Sequence, residues 1–214
     1  MDVLIDNASA ILDGFWLTIR LLVVNSVGAL VLGTLMASLR LSPVPVMRAV
    51  AAVYITVFRN TPLLVLIVIT YFGLPELGIT PGFFTRISIA MSIYTSTFIA
   101  EALRSGVNAV PLGQAEAARS IGMPFTMTLT QVVLPQAVRA TVPPMASVLI
   151  ALTKNTSLAA GFGLAEATYR LKGLVNDYAS DRWVIFFGIA LGYIVIVEVI
   201  SFGAARLERR WRVA

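Results

Sequence analysis

Few residues of this 214-residue chain can do acid–base or covalent chemistry, because it contains no histidine and no cysteine. That composition excludes thiolate nucleophiles, disulfides, imidazole metal ligands and histidine catalysis. The remaining candidates are charged side chains within or at the ends of apolar segments, namely Arg59, Glu101, Lys154 and Glu198. A charge at such a depth costs at least about 2.5 to 3.5 kcal/mol unless it faces water, a polar interior or a counter-charge. These residues therefore predict either a polar path or ion pairs that hold helices together, and Glu198 needs an interior partner.

Arg59 stands in the sequence FRNTPLL, three residues before Pro62. A proline in this position frees a carbonyl one turn earlier, which predicts an irregular segment that faces the interior of the protein. Arg59 is then either a structural pin held by an ion pair or a group that supports a solute path. Glu101 is one possible counter-charge, but Arg104 follows it by three residues on the same helical face and is the other possible partner.

Lys154, Thr156 and Ser157 form a second polar group at the end of an apolar segment. Their ammonium and hydroxyl groups can donate hydrogen bonds to the carboxylate of a solute. The alternative is structural, because a lysine at the end of a membrane span routinely extends its ammonium group towards the interface.

A polar break at residues 113–135 contains a short helix rich in alanine. A helix of roughly ten residues is marginal alone in water, so this one needs a surface to pack against. Glu116 and Arg119 have the spacing of a helical ion pair. Gly122 permits the left-handed conformation that ends such a helix, and Pro124 prevents the helix from continuing. The segment predicts a compact helical knob with fixed ends.

The composition indicates an integral membrane protein, because 58% of the residues are hydrophobic and only 13% are charged. A bilayer-spanning helix needs about 20 apolar residues, and a membrane barrel would need an alternation that is missing here. The predicted fold is an all-α polytopic bundle with five transmembrane helices. The predicted spans are Phe15–Leu39, Ala49–Leu74, Ile87–Val107, Phe125–Leu152 and Trp183–Ala205.

The distribution of lysine and arginine predicts the orientation, because cytoplasmic loops retain these residues. An N-terminus outside and a C-terminus in the cytoplasm place most basic residues inside, including the arginines between 206 and 212. The net charge of +5 therefore reflects membrane topology, and no nucleic-acid partner is expected. We expect an extracytoplasmic segment at 1–14, a transmembrane domain at 15–205 with a cytoplasmic loop at 108–124, and a basic tail at 206–214. No GxxxxGK[ST] sequence occurs, so any ATP-driven step needs another polypeptide.

Four sequence motifs, in order, resemble the permeases of ATP-binding-cassette (ABC) importers for polar amino acids. The break at 113–135 resembles their EAA loop, with Glu116, Ala117, Ala118 and Gly122 followed by Leu134 and Pro135, and Gly113 leads into it. Arg59, Asn60, Thr61 and Pro62 match the family's Arg-Gly-Thr-Pro except that Asn60 replaces glycine. Glu101 and Arg104 match its Ala-Glu motif. Lys154, Thr156 and Ser157 match its Lys-x-Thr-Ser-Leu, and Ser147 stands where the family often has asparagine.

This resemblance implies a type I importer permease of the glutamate or glutamine type that carries a polar amino acid, most closely glutamate, across the cytoplasmic membrane. The implied partners are ABC ATPase subunits that hold ATP and magnesium, a second permease subunit, an extracytoplasmic solute-binding protein and membrane lipid, while this chain itself holds no cofactor. The EAA residues would couple to the ATPase. The other matched residues would line the translocation path or contact the substrate.

Two other classes of function compete with an ABC permease. An ion-coupled secondary amino acid transporter is the first alternative, although the chain lacks the inverted repeats with paired broken helices that such transporters often show. A membrane-embedded enzyme is the second, and it would have only Glu101 and Glu198 as buried carboxylates.

Overall fold

The computed structural model describes residues 2–211, and all regular structure in that range is helical. Short π-helical turns at Ile69–Gly73 and Thr128–Val133 and 3-10 turns at Thr156–Phe162 and Ala179–Asp181 join the α-helices. The prediction of an all-α fold is confirmed. The helices are α1 (Asp2–Asp6), α2 (Ala8–Arg40), α3 (Pro45–Asn60), α4 (Leu63–Val68), α5 (Leu74–Glu76), α6 (Phe83–Asn108), α7 (Leu112–Ser120), α8 (Phe125–Met127), α9 (Leu134–Asn155), α10 (Ala167–Asp177) and α11 (Arg182–Trp211).

Four helical stretches of the described chain are long and apolar enough to cross a membrane, at Ala8–Arg40, Phe83–Asn108, Phe125–Phe162 and Ala179–Trp211. The pair Pro45–Asn60 and Leu63–Glu76 gives the fifth span, and the two halves are bent by 99°. The count of five is therefore confirmed, but the expected continuous span Ala49–Leu74 is wrong. The first and last spans are also longer than predicted, because their helices continue beyond the apolar core of the sequence.

The bend in the second span lies at Thr61 and Pro62, as the proline predicts. The side chain of Asn60 donates to the carbonyl of Thr56 at 2.8 Å, and the hydroxyl of Thr61 donates to the carbonyl of Val57 at 2.8 Å. Both side chains thus hydrogen-bond to carbonyl groups of the last turn of α3, directly before the bend. Asn60 is the last residue of α3 and, like the other described non-glycine residues, it has a negative φ. Replacing the family's glycine thus requires no left-handed backbone here.

The fourth span departs from α-helical geometry before its paired prolines and not at them. Pro143 and Pro144 lie inside α9, which remains α-helical through both residues. The departure comes earlier, in the π-helical turn Thr128–Val133 just before Pro135. A widened turn of this kind accommodates the missing N–H of a following proline.

Small and polar residues of α2 pack against α6, as expected for a helix that contacts helices more than lipid. The hydroxyl of Ser92 donates to the side-chain oxygen of Asn25 at 3.0 Å, and Asn25 is fully buried. A Cβ added at Gly28 would lie 2.7 Å from the Ser92 hydroxyl, and one at Gly33 would lie 2.6 Å from Ile99. The two helices therefore approach as closely as they do only because glycine occupies both positions.

Side chains of α1 and α2 pack directly against two glycines of α11. A Cβ added at Gly188 would lie 2.7 Å from Leu4, and one at Gly192 would overlap the ring of Phe15. Phe15 also meets Tyr193 edge to face, with 5.6 Å between ring centres. The two glycines, four residues apart, therefore mark a close contact in which the partner groups are side chains of α1 and α2.

Glu166 forms a buried polar centre between α2, α10 and α11, which sequence reasoning did not identify. Its carboxylate accepts from the Tyr193 hydroxyl at 2.6 Å, the Thr18 hydroxyl at 3.3 Å and the backbone N–H of Tyr169 at 2.9 Å. Burial raises the pKa of this carboxyl above its ordinary value, against the opposing effect of these donors. Glu166 caps α10, the short helix between the last two spans, and ties it to α2 and α11.

Glu198 does not have the interior partner that its position predicts. Its side chain is exposed on the surface of the chain and makes no hydrogen bond or ion pair with another described residue. Glu198 follows the buried Ile189 by nine residues, which places it about half a turn around α11 on the opposite face. The predicted basic tail is helical as far as Trp211, and Arg212 lies outside the described residues.

Candidate functional site

The short helix predicted in the polar break is α7, which projects from the bundle between α6 and the π-helical turn at Thr128–Val133. Only Ala118 of this helix is buried, where α7 packs against that turn. Glu116 and Ala117 are exposed, and Gly113, in the first turn of the helix, has open space where a side chain would lie. The helix thus presents a small-residue surface that is free to contact another protein.

Large apolar side chains stand at both ends of α7. Leu112 is 81% exposed and Ile121 is 79% exposed, and Phe125 after them is 74% exposed. Leu112 and Ile121 lie outside the spans on the side that the positive charges assign to the cytoplasm, and Phe125 begins the fourth span on that side. Exposed apolar groups around a helix are the usual anchors of a helix that docks in a groove of a partner.

The predicted ion pair within α7 is absent. The guanidinium Nε of Arg119 donates to the carbonyl of Ala115 at 3.3 Å, and the described structure contains no ion pair between Arg119 and Glu116. The carbonyl of Ala115 lies one turn back and accepts from Arg119 inside the helix, which leaves the carboxylate of Glu116 in solvent. Glu116 is therefore available to a partner.

Gly122 ends α7 in the left-handed conformation that was predicted, with φ at 87°. Its N–H donates to the carbonyl of Arg119 at 2.9 Å, and the N–H of Met123 donates to the carbonyl of Ala118 at 3.2 Å. These bonds satisfy carbonyls that the end of a helix leaves open. Pro124 follows with extended backbone and prevents continuation. The direction of the chain out of α7 is thus fixed.

A side-chain hydrogen bond joins α7 to the fourth span. The amide of Gln136 on α9 donates to the amide oxygen of Gln114 on α7, and Gln136 also donates to the carbonyl of Val132 at 2.7 Å. Leu134 and Pro135, the last residues of the EAA resemblance, form the exposed start of α9 beside this bond. A displacement of α7 would therefore pull directly on α9.

A groove of about 350 Å³ lies between α6 and α9 and is open on one side. Its wall on α6 consists of Tyr94 and Phe98, whose ring centres lie 5.0 Å apart, together with Thr95. Its wall on α9 carries two polar side chains, Ser147 and Asn155. Ser147 was a predicted path residue. Asn155 was missed, although a polar amide beside Lys154 at the end of an apolar span is the signal that would have found it.

Arg59 lies at the edge of this groove and not in an ion pair. Its guanidinium carbon stands 5.3 Å from the centre of the Phe98 ring, a cation–π distance, and Arg59 makes no hydrogen bond or ion pair with another described residue. Glu101 pairs instead with Arg104 at 2.7 Å, which decides between the two partners that the sequence left open. The local i, i+3 contact forms because it needs only side-chain rotation on one helix. Arg59 therefore has no ion-pair partner among the described residues, although the carboxylate of Glu101 is close enough to attract it at longer range.

The second predicted polar group is divided between two environments. Lys154 and Ser157 line a separate cavity of about 380 Å³ between α9, α10 and α11, with Tyr193 and Phe186 on its far wall. Thr156 is fully buried and donates to the carbonyl of Thr153 at 2.7 Å. Thr156 is therefore structural. Ser147 and Lys154, seven residues apart on α9, face different cavities, so the structure does not gather the predicted residues into one site.

A protein-family model matches most of this chain. The family described as "Binding-protein-dependent transport system inner membrane component" matches residues 29–213 of this chain. The match includes the groove, the bend at Pro62 and the whole of α7.

Curated relatives are similar over nearly their full length. The glutamate transport system permease protein GluC of Corynebacterium glutamicum is 38% identical, over 96% of this chain and 95% of its own. The probable glutamine ABC transporter permease protein GlnM of Bacillus subtilis is 34% identical, over 98% of this chain and 97% of its own.

Solved structures of ABC transporters have folds similar to that of this chain. The crystal structure of an amino acid ABC transporter with histidines matches with a TM-score of 0.89 at 29% identity, and covers 97% of this chain and 96% of its own. An inward-facing structure of the MetNI methionine ABC transporter matches with a TM-score of 0.75 at 19% identity, over 96% of this chain and 98% of its own, which shows a shared fold.

Proposed function

The chain belongs to the family of binding-protein-dependent transport system inner membrane components, and from that membership we propose that it imports glutamate in an ATP-driven complex. It is a membrane permease subunit of an ABC importer and not itself an ATPase. This membership decides against the ion-coupled and enzymatic alternatives. The substrate, the residues that contact it and the partner subunits are the parts that we propose.

The position of Arg59 at the edge of the groove, without an ion-pair partner among the described residues, is the observation that carries the choice of substrate. A groove lined by aromatic rings, a hydroxyl and an amide suits the amino acid backbone, because rings attract an ammonium group and the polar side chains bond a carboxylate. An additional cation at the edge favours a substrate with a second carboxylate. Glutamate satisfies each of these groups at once, and the relative from Corynebacterium glutamicum is named for glutamate transport.

The partner subunits are inferred from the features exposed on the cytoplasmic and the outer surface of the chain. The exposed helix α7, with Glu116 in solvent and apolar anchors at Leu112 and Ile121, provides a site for the nucleotide-binding ATPase, which holds ATP and magnesium. A second permease, identical or homologous, would complete the path, since one bundle has its groove open on one side. A solute-binding protein would deliver the amino acid to the outer surface that includes α10.

The proposed cycle uses the bond between α7 and α9. Closure of the ATPase subunits around ATP moves the docked α7, and Gln114 transmits the displacement to Gln136 on α9. Because α9 forms one wall of the groove, its movement changes the side to which the groove opens. The substrate then passes from the outer to the inner face.

Uptake by the complete complex tests this proposal. The chain is co-expressed with the ATPase and binding protein from its own gene neighbourhood, reconstituted in proteoliposomes and supplied with radiolabelled glutamate or glutamine. We expect glutamate uptake that requires ATP on the side of α7, with glutamine as a weak competitor. Uptake of glutamine alone would contradict the role of Arg59 as a cation for the second carboxylate. Uptake that persists without ATP and collapses with an ion gradient would contradict the transport mechanism itself.

A further inference from the structure

A second groove, of about 380 Å³, runs between α9 and α11 near the ends that the charges assign to the cytoplasmic leaflet. All of its lining residues are apolar, among them Met145 and Leu149 on α9 and Ile200 and Leu207 on α11. A Cβ added at Gly203 in its lining would meet no atom within 4 Å. The groove is therefore apolar open space between two helices, and Gly203 adds no side chain to it.

This groove is distinct from the one assigned to the substrate. Leu149 follows Ser147 by two residues, so the two side chains point about 200° apart around the axis of α9. Ser147 faces the aromatic groove on α6, while Leu149 faces α11. The lining of the second groove offers no hydrogen-bonding side chain to an amino acid. Its occupant must be apolar along its length.

The cytoplasmic end of the groove is strongly basic. The neighbouring cavity is lined by Arg139 and Trp211 together with apolar residues at the start of α9. Arg139 is exposed and makes no hydrogen bond or ion pair with another described residue. The last turns of α11 carry Arg206, Arg209 and Arg210, against one side-chain carboxylate, Glu208, after residue 198. An anionic group at this position would meet several cations at the depth of the phospholipid headgroups.

We propose that this groove binds an anionic phospholipid of the cytoplasmic leaflet. One acyl chain lies between α9 and α11, over the roughly 12 Å from Leu207 to Val199 that eight helical residues span. The phosphate accepts hydrogen bonds from the guanidinium of Arg139, and such charge-assisted bonds are stronger than those between neutral groups. The arginines of α11 supply additional electrostatic attraction. Trp211 packs at the headgroup level, where indole rings preferentially lie. The lipid fills the space between two helices that move during transport.

Quenching of Trp211 fluorescence measures this binding directly. The other two tryptophans, Trp16 and Trp183, are exposed and lie towards the outer ends of α2 and α11, away from Trp211. The full-length variant with Trp16→Phe and Trp183→Phe therefore retains Trp211 as its only tryptophan. The chain is reconstituted in vesicles of phosphatidylcholine that contain brominated phosphatidylglycerol or brominated phosphatidylcholine at equal mole fraction. We expect brominated phosphatidylglycerol to quench Trp211 more strongly.

Variants separate a built site from general attraction to a charged surface. Arg139→Gln should lower the preference for phosphatidylglycerol about fivefold, the effect of one cation near an anionic headgroup. Gly203→Phe, which places a ring in the groove from a position where a Cβ meets no atom within 4 Å, should lower it as well. Arg48→Gln removes an equal charge from the same side of the membrane, away from the groove, and should leave the preference unchanged.

Three results would overturn the proposal. The first is equal quenching by the two brominated lipids, and the second is an Arg139→Gln chain that retains the full preference for phosphatidylglycerol. The third is protection of Trp211 from both lipids, which would assign the groove to a second copy of the chain.

Discussion

Gln114 on α7 and Gln136 on α9 bond to each other through their side-chain amides, and this is the one side-chain hydrogen bond between the exposed helix and a membrane span among the described residues. Gln136 also bonds the carbonyl of Val132 in the π-helical turn, so its amide is held in place from two directions. The contact gives α7 a direct connection to the helix that forms one wall of the substrate groove.

We predict that Gln136→Ala lowers uptake about fivefold while ATP hydrolysis continues, because it removes about 1 kcal/mol of connection between α7 and α9. The measurement is the ratio of amino acid transported to ATP hydrolysed in proteoliposomes. Gln131→Ala is the matched control, since Gln131 is an exposed glutamine on the preceding turn that forms no such bond. An equal fall in both variants would show that the bond has no specific role.

We predict that Gly122→Leu uncouples ATP hydrolysis from uptake without preventing insertion of the protein. A side chain at φ of 87° costs about 1 to 2 kcal/mol, so the loop leaves the geometry that directs α7. Substrate-stimulated ATPase activity is the readout. Gly173→Ala, in an exposed helix with open space around the Cβ, should behave as the native chain. Substrate stimulation of the ATPase equal to that of the native chain in Gly122→Leu would mean that the loop tolerates a different backbone conformation at this position.

Reversal of the exposed carboxylate on α7 tests the docking surface separately from its geometry. Glu116→Lys should weaken association with the ATPase and lower uptake, because a free carboxylate is replaced by a cation on the contacting face. Co-purification of the two subunits measures the association. Lys172→Glu reverses a charge on the outer helix α10 and serves as a control. An ATPase that co-purifies at native yield with the Glu116 variant would exclude this carboxylate from the interface.

Arg59 should discriminate between acidic and neutral amino acids. Arg59→Ala is expected to lower glutamate uptake at least about tenfold, the loss of a hydrogen bond to a charged group, and to affect glutamine less. Arg59→Lys retains the charge and should restore part of the glutamate uptake. Competition between labelled glutamate and unlabelled glutamine gives the ratio. An unchanged ratio in Arg59→Ala, with a stable protein, would remove Arg59 from the substrate path.

Glu166 should make the stability of the protein depend on pH. Its folded pKa is raised by burial, so the folded protein holds this proton more tightly than the unfolded chain does. The resulting stabilisation is complete below the unfolded pKa, ordinarily 4.5, and is lost as the pH rises through the folded pKa. Glu166→Gln should flatten this part of the profile. Thermal unfolding in detergent, from about pH 4 to about pH 8, measures both profiles, and parallel curves would contradict the assignment.

Gly192→Ala should lower the melting temperature, because a Cβ there would overlap the ring of Phe15 and must displace it. Overpacking of this kind typically costs about 1 to 3 kcal/mol. Gly203→Ala adds the same methyl group to the same helix in open space and should be neutral or slightly stabilising. The paired melting curves in one detergent decide the question, and identical shifts would mean that helix propensity alone governs both sites.

The sequence by itself determined the class of the fold, the place of the bend at Pro62 and the short helix that ends at Gly122. Each of these follows from local rules: the length of apolar segments, the missing N–H of proline and the left-handed tolerance of glycine. The tertiary structure alone decided which charges meet. Glu101 pairs with Arg104 and leaves Arg59 over Phe98, Glu166 gathers donors from helices far apart in the chain, and Ser147 and Lys154 face different cavities. Those outcomes depend on how five spans rotate about their axes and pack together, and helix rotation is set by contacts between distant residues that spacing along one helix does not encode.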